Sequence, residues 1–170
     1  GTKLGVTFVS TEQELYGKVG IYDISGGGFS TIAEGLVGKP VNTVIAINDS
    51  LMFAGVGSTR SITGYTNTEN RGLWKSIDGG TTWNKVTASE LPDLTTAAVL
   101  KLAYDSENDV MYAGVGDAQG TGDWNGGGFF IMRKASTDQA TWEKVNQSQL
   151  QMSGEVSTLA IDEAKGIVYI

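Results

Sequence analysis

A pair of apolar strands recurs along this chain every 57–59 residues, and that self-similarity restricts the fold more than any other feature. Good copies occupy residues 43–57 (TVIAINDSLMFAGVG), 100–116 (LKLAYDSENDVMYAGVG) and 157–170 (STLAIDEAKGIVYI). Ala46, Ala103 and Ala160 recur every 57 residues, and Gly55 and Gly114 lie 59 apart. A weaker copy stands at residues 5–19, GVTFVSTEQELYGKV. Each copy reads as an apolar strand, a polar turn and a second apolar strand. The turns carry Asn48-Asp49, residues 105–109 and residues 162–165. Asx residues suit such turns because they bond local backbone and tolerate positive φ. The first strand of each pair is nearly all apolar or small, the pattern of a strand covered on both faces.

A second hairpin follows each pair. The clearest is residues 72–86, GLWKSIDGGTTWNKV; a looser one is residues 128–145, GFFIMRKASTDQATWEKV. The first is vestigial, residues 20–36, GIYDISGGGFSTIAEGL. Trp83 and Trp142 again lie 59 apart. Two hairpins per repeat give four strands, and a four-stranded unit repeating at roughly 40–60 residues marks a propeller. A single such sheet cannot bury both faces, so copies must stack. The expected fold is all-β, a β-propeller of four-stranded antiparallel blades. Blade one covers residues 1–37, blade two 41–88 and blade three 96–147, with the start of blade four at 154–170. The 24 Gly residues fit many short strands and tight turns and oppose helices, since Gly costs about 1 kcal/mol relative to Ala inside a helix.

The clearest second hairpin carries a motif. Ser76, Asp78, Gly80, Thr82 and Trp83 match Ser-x-Asp-x-Gly-x-Thr-Trp at every defined position. This resembles the Asp-box (BNR) repeat of sialidases, xyloglucan-active endoglucanases, sortilin-type receptors and photosystem assembly factors. Ser136, Asp138, Thr141 and Trp142 keep part of the pattern, but the glycine is missing and the run is one residue shorter, so its turn must differ. Blade one keeps only a glycine run at 26–28, with Phe29 in the Trp position. The resemblance implies that the box marks fold and not an active site. Asp78 is expected to accept bonds from turn amides, and Trp83 to fold beneath the hairpin.

Blade four reaches Ile170 inside its second strand, where its siblings continue as AGVG. About three and a half blades fall short of the roughly 4–8 that close a ring. The expectation is a portion of a larger propeller, with self-association through open blade edges as the alternative.

Propeller topology sorts the loops. With strands A to D counted from the axis outward, the A–B and C–D connections share one face, and the B–C and D–A connections share the other. The box lies in C–D. Ligand sites of propellers gather on the opposite face, around the axis. There the B–C loop of blade one is minimal, around residues 17–20. Those of blades two and three are long: residues 58–71 (STRSITGYTNTENR) and 117–127 (DAQGTGDWNGG). They supply Tyr65, Arg71, Trp124 and Asn125 as candidate ligand-binding residues, with Arg60, Asn67 and Asn70 nearby. Aromatic rings beside planar hydrogen-bonding groups suit a sugar, whose C–H face stacks while its hydroxyls bond. Trp124, in a glycine-rich loop, is hard to place in a core.

Glycoside hydrolysis usually uses two carboxylates, about 5–5.5 Å apart for retention and about 6.5–9.5 Å for inversion. Glu69, Asp117 and Asp123 are the candidates on these loops. The acids at Asp49, Asp105, Glu107, Asp109, Asp162 and Glu163 read as turn formers on the box face. A sialidase would need an arginine triad and a tyrosine nucleophile. Arg60, Arg71 and Arg133 are the only arginines, and the Arg-Ile-Pro motif is missing. A glycan-active or glycan-binding propeller is therefore one reading; a non-enzymatic scaffold for a protein or peptide partner is the other.

Composition removes several classes. Net charge is −7, with 12 Lys and Arg against 19 acids, so nucleic acid is not an expected partner. No apolar stretch approaches membrane-spanning length and no basic amphipathic helix occurs, so no membrane association is expected. Cys and His are both absent, which excludes disulfides, thiolate chemistry and Ser-His pairs. Asp117, Asp123 and Asn125 offer oxygen ligands, but their spacing fits no EF-hand loop. No metal or cofactor is expected. The sequence opens with Gly1-Thr2-Lys3 and no signal peptide, as a mature segment would. Only the family resemblance favours an extracellular or cell-surface location.

Overall fold

The computed structural model describes residues 3–8, 18–23, 28–30, 34–36, 39–57, 71–87, 97–116, 127–145 and 155–170. They form antiparallel sheets whose strands follow chain order. The first sheet joins β1 (Lys3–Phe8), β2 (Lys18–Asp23) and β3 (Gly28–Ser30). The second joins β4 (Val41–Ala46), β5 (Met52–Val56), β6 (Gly72–Ser76) and β7 (Asn84–Lys85). The third joins β8 (Ala98–Asp105), β9 (Val110–Gly116), β10 (Gly128–Arg133) and β11 (Thr141–Val145). A two-stranded hairpin follows, of β12 (Ala160–Asp162) and β13 (Ile167–Tyr169). The first strand of each sheet packs on the first strand of the next: β1 on β4, β4 on β8, β8 on β12. This is propeller architecture, two four-stranded blades flanked by smaller sheets, with β1, β4, β8 and β12 innermost. Among the described residues no helix is long and apolar enough to cross a membrane.

The turns within the inner hairpins repeat one chemical device. Asn48 Oδ1 accepts the amides of Ser50 and Leu51, at 3.0 and 2.8 Å. Asp105 Oδ1 accepts those of Glu107 and Asn108, both at 3.0 Å. Asp162 Oδ1 accepts the amide of Lys165 at 3.2 Å. The three side chains stand 57 residues apart. A short polar side chain thus replaces water on turn amides at the same place in successive blades.

Blades lock together through glycines on the second strand. A Cβ on Gly55 would lie 2.8 Å from the Val99 carbonyl oxygen, and one on Gly114 would lie 2.5 Å from that of Val156. Val99 and Val156 belong to the inner segment of the following blade and are 57 residues apart. Their side chains fill the space a larger residue would take. The Val156 amide also donates to the Val115 carbonyl at 3.1 Å. Between blades two and three lies the main core, with Phe53, Leu73, Val99, Met111 and Val115 all buried. Leu36, Val41, Trp74 and Trp83 form a second cluster on the other side of blade two.

One detail of blade one differs from the sequence reading. β2 runs unbroken through Gly20 and pairs with β1 along its whole length, so no B–C turn lies at 18–20. Val19, Ile21 and Tyr22 keep strand character on both sides of Gly20, which alone does not end a strand. Glu34–Leu36, read as the end of blade one, lies against blade two. The Glu34 amide donates to Thr81 and the Trp83 amide donates to Glu34, at 3.1 and 2.8 Å.

Candidate functional site

Strand direction places the connections. β5 ends and β6 begins at one end of blade two; β9 ends and β10 begins at the same end of blade three. The runs at 58–70 and 117–126 leave from there. The Asn48, Asp105 and Asp162 turns and the Ser76–Trp83 box lie at the other end. The roots of the two long runs also meet across the blade interface. A Cβ on Gly57 would lie 2.8 Å from the Ala98 Cα. Ala98 in turn faces Gly116 in the β8–β9 register. Gly57, Ala98 and Gly116 therefore form a continuous floor of small residues from one root to the other.

Asn42 fixes this floor. It stands where the β4–β5 register shifts between Val41 and Thr43. Its Nδ2 donates to the Gly57 carbonyl at 2.7 Å and to the Val99 carbonyl at 2.9 Å. One amide group thus ties the root of the first run to the inner strand of the next blade. Arg71, expected to face ligand, is only 4% exposed. Its Cγ lies 3.2 Å from where a Gly57 Cβ would sit, so it forms part of the base beneath the root. Tyr65, Glu69, Asp117, Asp123, Trp124 and Asn125 lie outside the described residues.

The box at the opposite end is built as a hydrogen-bonded turn. Asp78 Oδ1 accepts from the Ser76 hydroxyl and the Thr82 amide, and Oδ2 from the Thr82 hydroxyl at 2.6 Å. Ser76 Oγ accepts the Gly80 amide at 2.9 Å. Gly79 and Gly80 both take positive φ, a conformation that a side chain would strain. Trp83 is buried and its Nε1 donates to the Gly80 carbonyl at 2.9 Å. The Thr82 hydroxyl, the Thr82 amide and the Ser76 hydroxyl hold the Asp78 carboxyl at a pKa of about 2. The side-chain polar groups of Ser76, Asp78, Thr82 and Trp83 all bond within the turn itself.

Blade three solves the same turn differently. Met52 faces Ser76, and Met111, at the same repeat position, faces Met132. Met132 therefore takes the place of Ser76, and the match of Ser136 and Asp138 to the box is one of sequence only. Among the described residues Asp138 makes no turn bond. Asp109, from the inner turn of the blade, supplies the carboxylate instead. It accepts the Ser136 amide at 2.9 Å, the Ser136 hydroxyl at 2.8 Å and the Tyr104 hydroxyl at 3.0 Å. Burial opposes ionisation of Asp109, yet the Ser136 and Tyr104 donors outweigh it and lower its pKa. Burial, then the bond to Asp109, raises that of Tyr104. Trp142 packs half-buried against the main core. Sequence reasoning missed Asn42 and Asp109 as organising residues. The spacing of Asn42 from Val99, one repeat of 57, was an available signal.

A groove of about 770 Å³ also opens between β8 and β12, lined by Lys101, Tyr104, Leu159, Asp162 and Glu163 among others. Tyr104 and Asp162 there are already bonded, to Asp109 and Lys165.

No protein-family model matches the chain, and no curated protein matches it. Among solved structures the chain is similar to the GH74 enzyme of Niastella koreensis, at 19% identity and a TM-score of 0.53 over 84% of this chain. The chain spans 19% of that enzyme's length. At such identity the likeness is one of fold, and it agrees with the stacked four-stranded sheets.

Proposed function

We propose that the chain is the Asp-box propeller portion of a glycan-binding or glycan-active protein, with its ligand surface where blades two and three meet. The observation that carries this reading is the shared floor of Gly57, Ala98 and Gly116, which brings the roots of both long runs together. On this reading Tyr65, Trp124 and Asn125 are the residues that meet the ligand. Glu69, Asp117 and Asp123 then become the carboxylates to test for hydrolysis. The likeness of fold to a GH74 enzyme supports the choice of a carbohydrate ligand.

The test is a glycan array probed with the wild type and with Trp124→Ala. The proposal expects a defined set of bound oligosaccharides that Trp124→Ala loses while its melting temperature holds. No bound glycan, or equal binding by both proteins, overturns it. Reducing-end release from a bound glycan, abolished by Glu69→Gln, Asp117→Asn or Asp123→Asn, separates hydrolysis from binding alone.

A further inference from the structure

We propose that Asn48 is a modification site, the acceptor for transfer of an N-linked oligosaccharide. The inference takes the chain to be exported, and it stands apart from whatever the opposite end of the blades binds. Asn48, Asp49 and Ser50 read Asn-x-Ser with no proline between, the pattern that an oligosaccharyltransferase requires. All three residues are exposed, in the turn between β4 and β5. A bulky hydrophilic branch attached there meets solvent and displaces no core residue.

The repeat shows that the amide nitrogen of Asn48 is not needed for the turn. Asn48 closes it through Oδ1, which accepts the Ser50 and Leu51 amides at 3.0 and 2.8 Å. Asp105 and Asp162 close the equivalent turns through a carboxylate oxygen. An oxygen is therefore enough, and Nδ2 is what sets Asn48 apart from those two residues. Among the described residues neither Asn48 Nδ2 nor the Ser50 hydroxyl makes a bond. Blade two alone joins this nitrogen to a hydroxyl two residues on, since Glu107 and Ala164 hold that place in the later turns. The Ser50 carbonyl accepts the Gly79 amide at 2.9 Å, so the box braces the turn from the side. Two donors on Oδ1 polarise the amide and make its N–H hydrogens more acidic, which eases the proton loss that transfer requires. In the transfer, Nδ2 bonds to C1 of the sugar of a lipid-linked oligosaccharide. The C1–O bond to its pyrophosphate breaks, the lipid pyrophosphate leaves, and one Nδ2 proton passes to a base of the transferase.

The experiment places the full chain behind a signal peptide in a eukaryotic host. Secreted and cell-retained chain are both treated with peptide N-glycosidase in heavy-oxygen water and mapped by mass, so poor secretion does not mask the result. Asn146-Gln147-Ser148 matches the same pattern but lies outside the described residues, and the map reads the two positions separately. The proposal expects sugar on the Asn48 peptide, and a heavy-oxygen Asp at that position after the enzyme. Asn48→Asp, with the carboxylate that closes the later turns, and Ser50→Ala, which keeps the turn amide, should each lose that signal. A wild type with bare Asn48 overturns the proposal. So does sugar confined to Asn146, or a Ser50→Ala chain still modified at Asn48.

Discussion

Asn42 Nδ2 lies 2.9 Å from the carbonyl oxygen of Val99, one repeat further along the chain and one blade further around the axis. The same nitrogen holds Gly57 at 2.7 Å. Asn42→Ala leaves both carbonyls without this donor at the inner seam, which costs about 1–2 kcal/mol. Asn42→Asp removes the donor and adds a carboxylate facing two carbonyls, so it costs more than alanine. Chemical denaturation of the three proteins gives the ranking, and equal stability of all three contradicts the clamp.

Gly55 and Gly114 receive valines of the next blade. Gly114→Ala sets a methyl 2.5 Å from the Val156 backbone oxygen, a contact that backbone shift alone relieves. Overpacking of this kind costs about 1–3 kcal/mol. Gly166→Ala is the control for a strained φ without crowding, because nothing lies within 4 Å of its Cβ position. Gly114→Ala should loosen blade three from the hairpin after it, seen as faster amide exchange at Val156. Unchanged exchange there sinks the interlock.

Asp78 makes the protein sensitive to acid in a defined window. Its pKa falls from 3.8 to about 2 on folding, through the Thr82 and Ser76 donors. A depressed folded value means the stabilisation is fully present above 3.8 and is lost as pH falls toward 2. Asp105 and Asp109 are lowered as well and act in the same direction. The melting temperature of wild type should exceed that of Asp78→Asn at pH 6, with the gap closing as pH falls through this window. A gap that stays constant down to pH 2 contradicts the assignment.

In blade three, Asp109 and Asp138 are predicted to behave oppositely. Asp109→Ala removes three hydrogen bonds and places alanine at a φ of 53°, a region a methyl side chain resists. It should destabilise by about 1–3 kcal/mol. Asp138→Ala should change stability by less than about 0.5 kcal/mol. Equal effects would return Asp138 to the role that the sequence match suggests.

The stacked architecture was legible because it is written in periodic residues. The recurrence of Ala46, Ala103 and Ala160 and the apolar strand pairs pointed to repeated sheets, and β4–β5, β8–β9 and β12–β13 fall on those copies. The Asp78 turn was legible because its bonds run between residues two to four apart. Asp109 was not, because its partner Ser136 is 27 residues away and becomes a neighbour only once β9 and β10 pair. A sequence match could not reveal that Met132, rather than Ser136, takes the place of Ser76; strand register decides it. Arg71 read as a ligand residue because it is charged and next to a long polar run. Its burial follows from the close approach of Gly57 to Ala98, which no local pattern announces.

The account stands on sheets stacked face to face, each inner strand seated on the second strand of the sheet before it. Nuclear Overhauser spectroscopy on isotope-labelled chain reads that contact without altering a residue. It should show strong cross-peaks from Gly55 Hα to the Val99 methyls, from Gly114 Hα to the Val156 methyls and from Gly57 Hα to the Ala98 methyl. Absence of all three, with contacts instead linking β7 to β8 as neighbours in one continuous sheet, would contradict it.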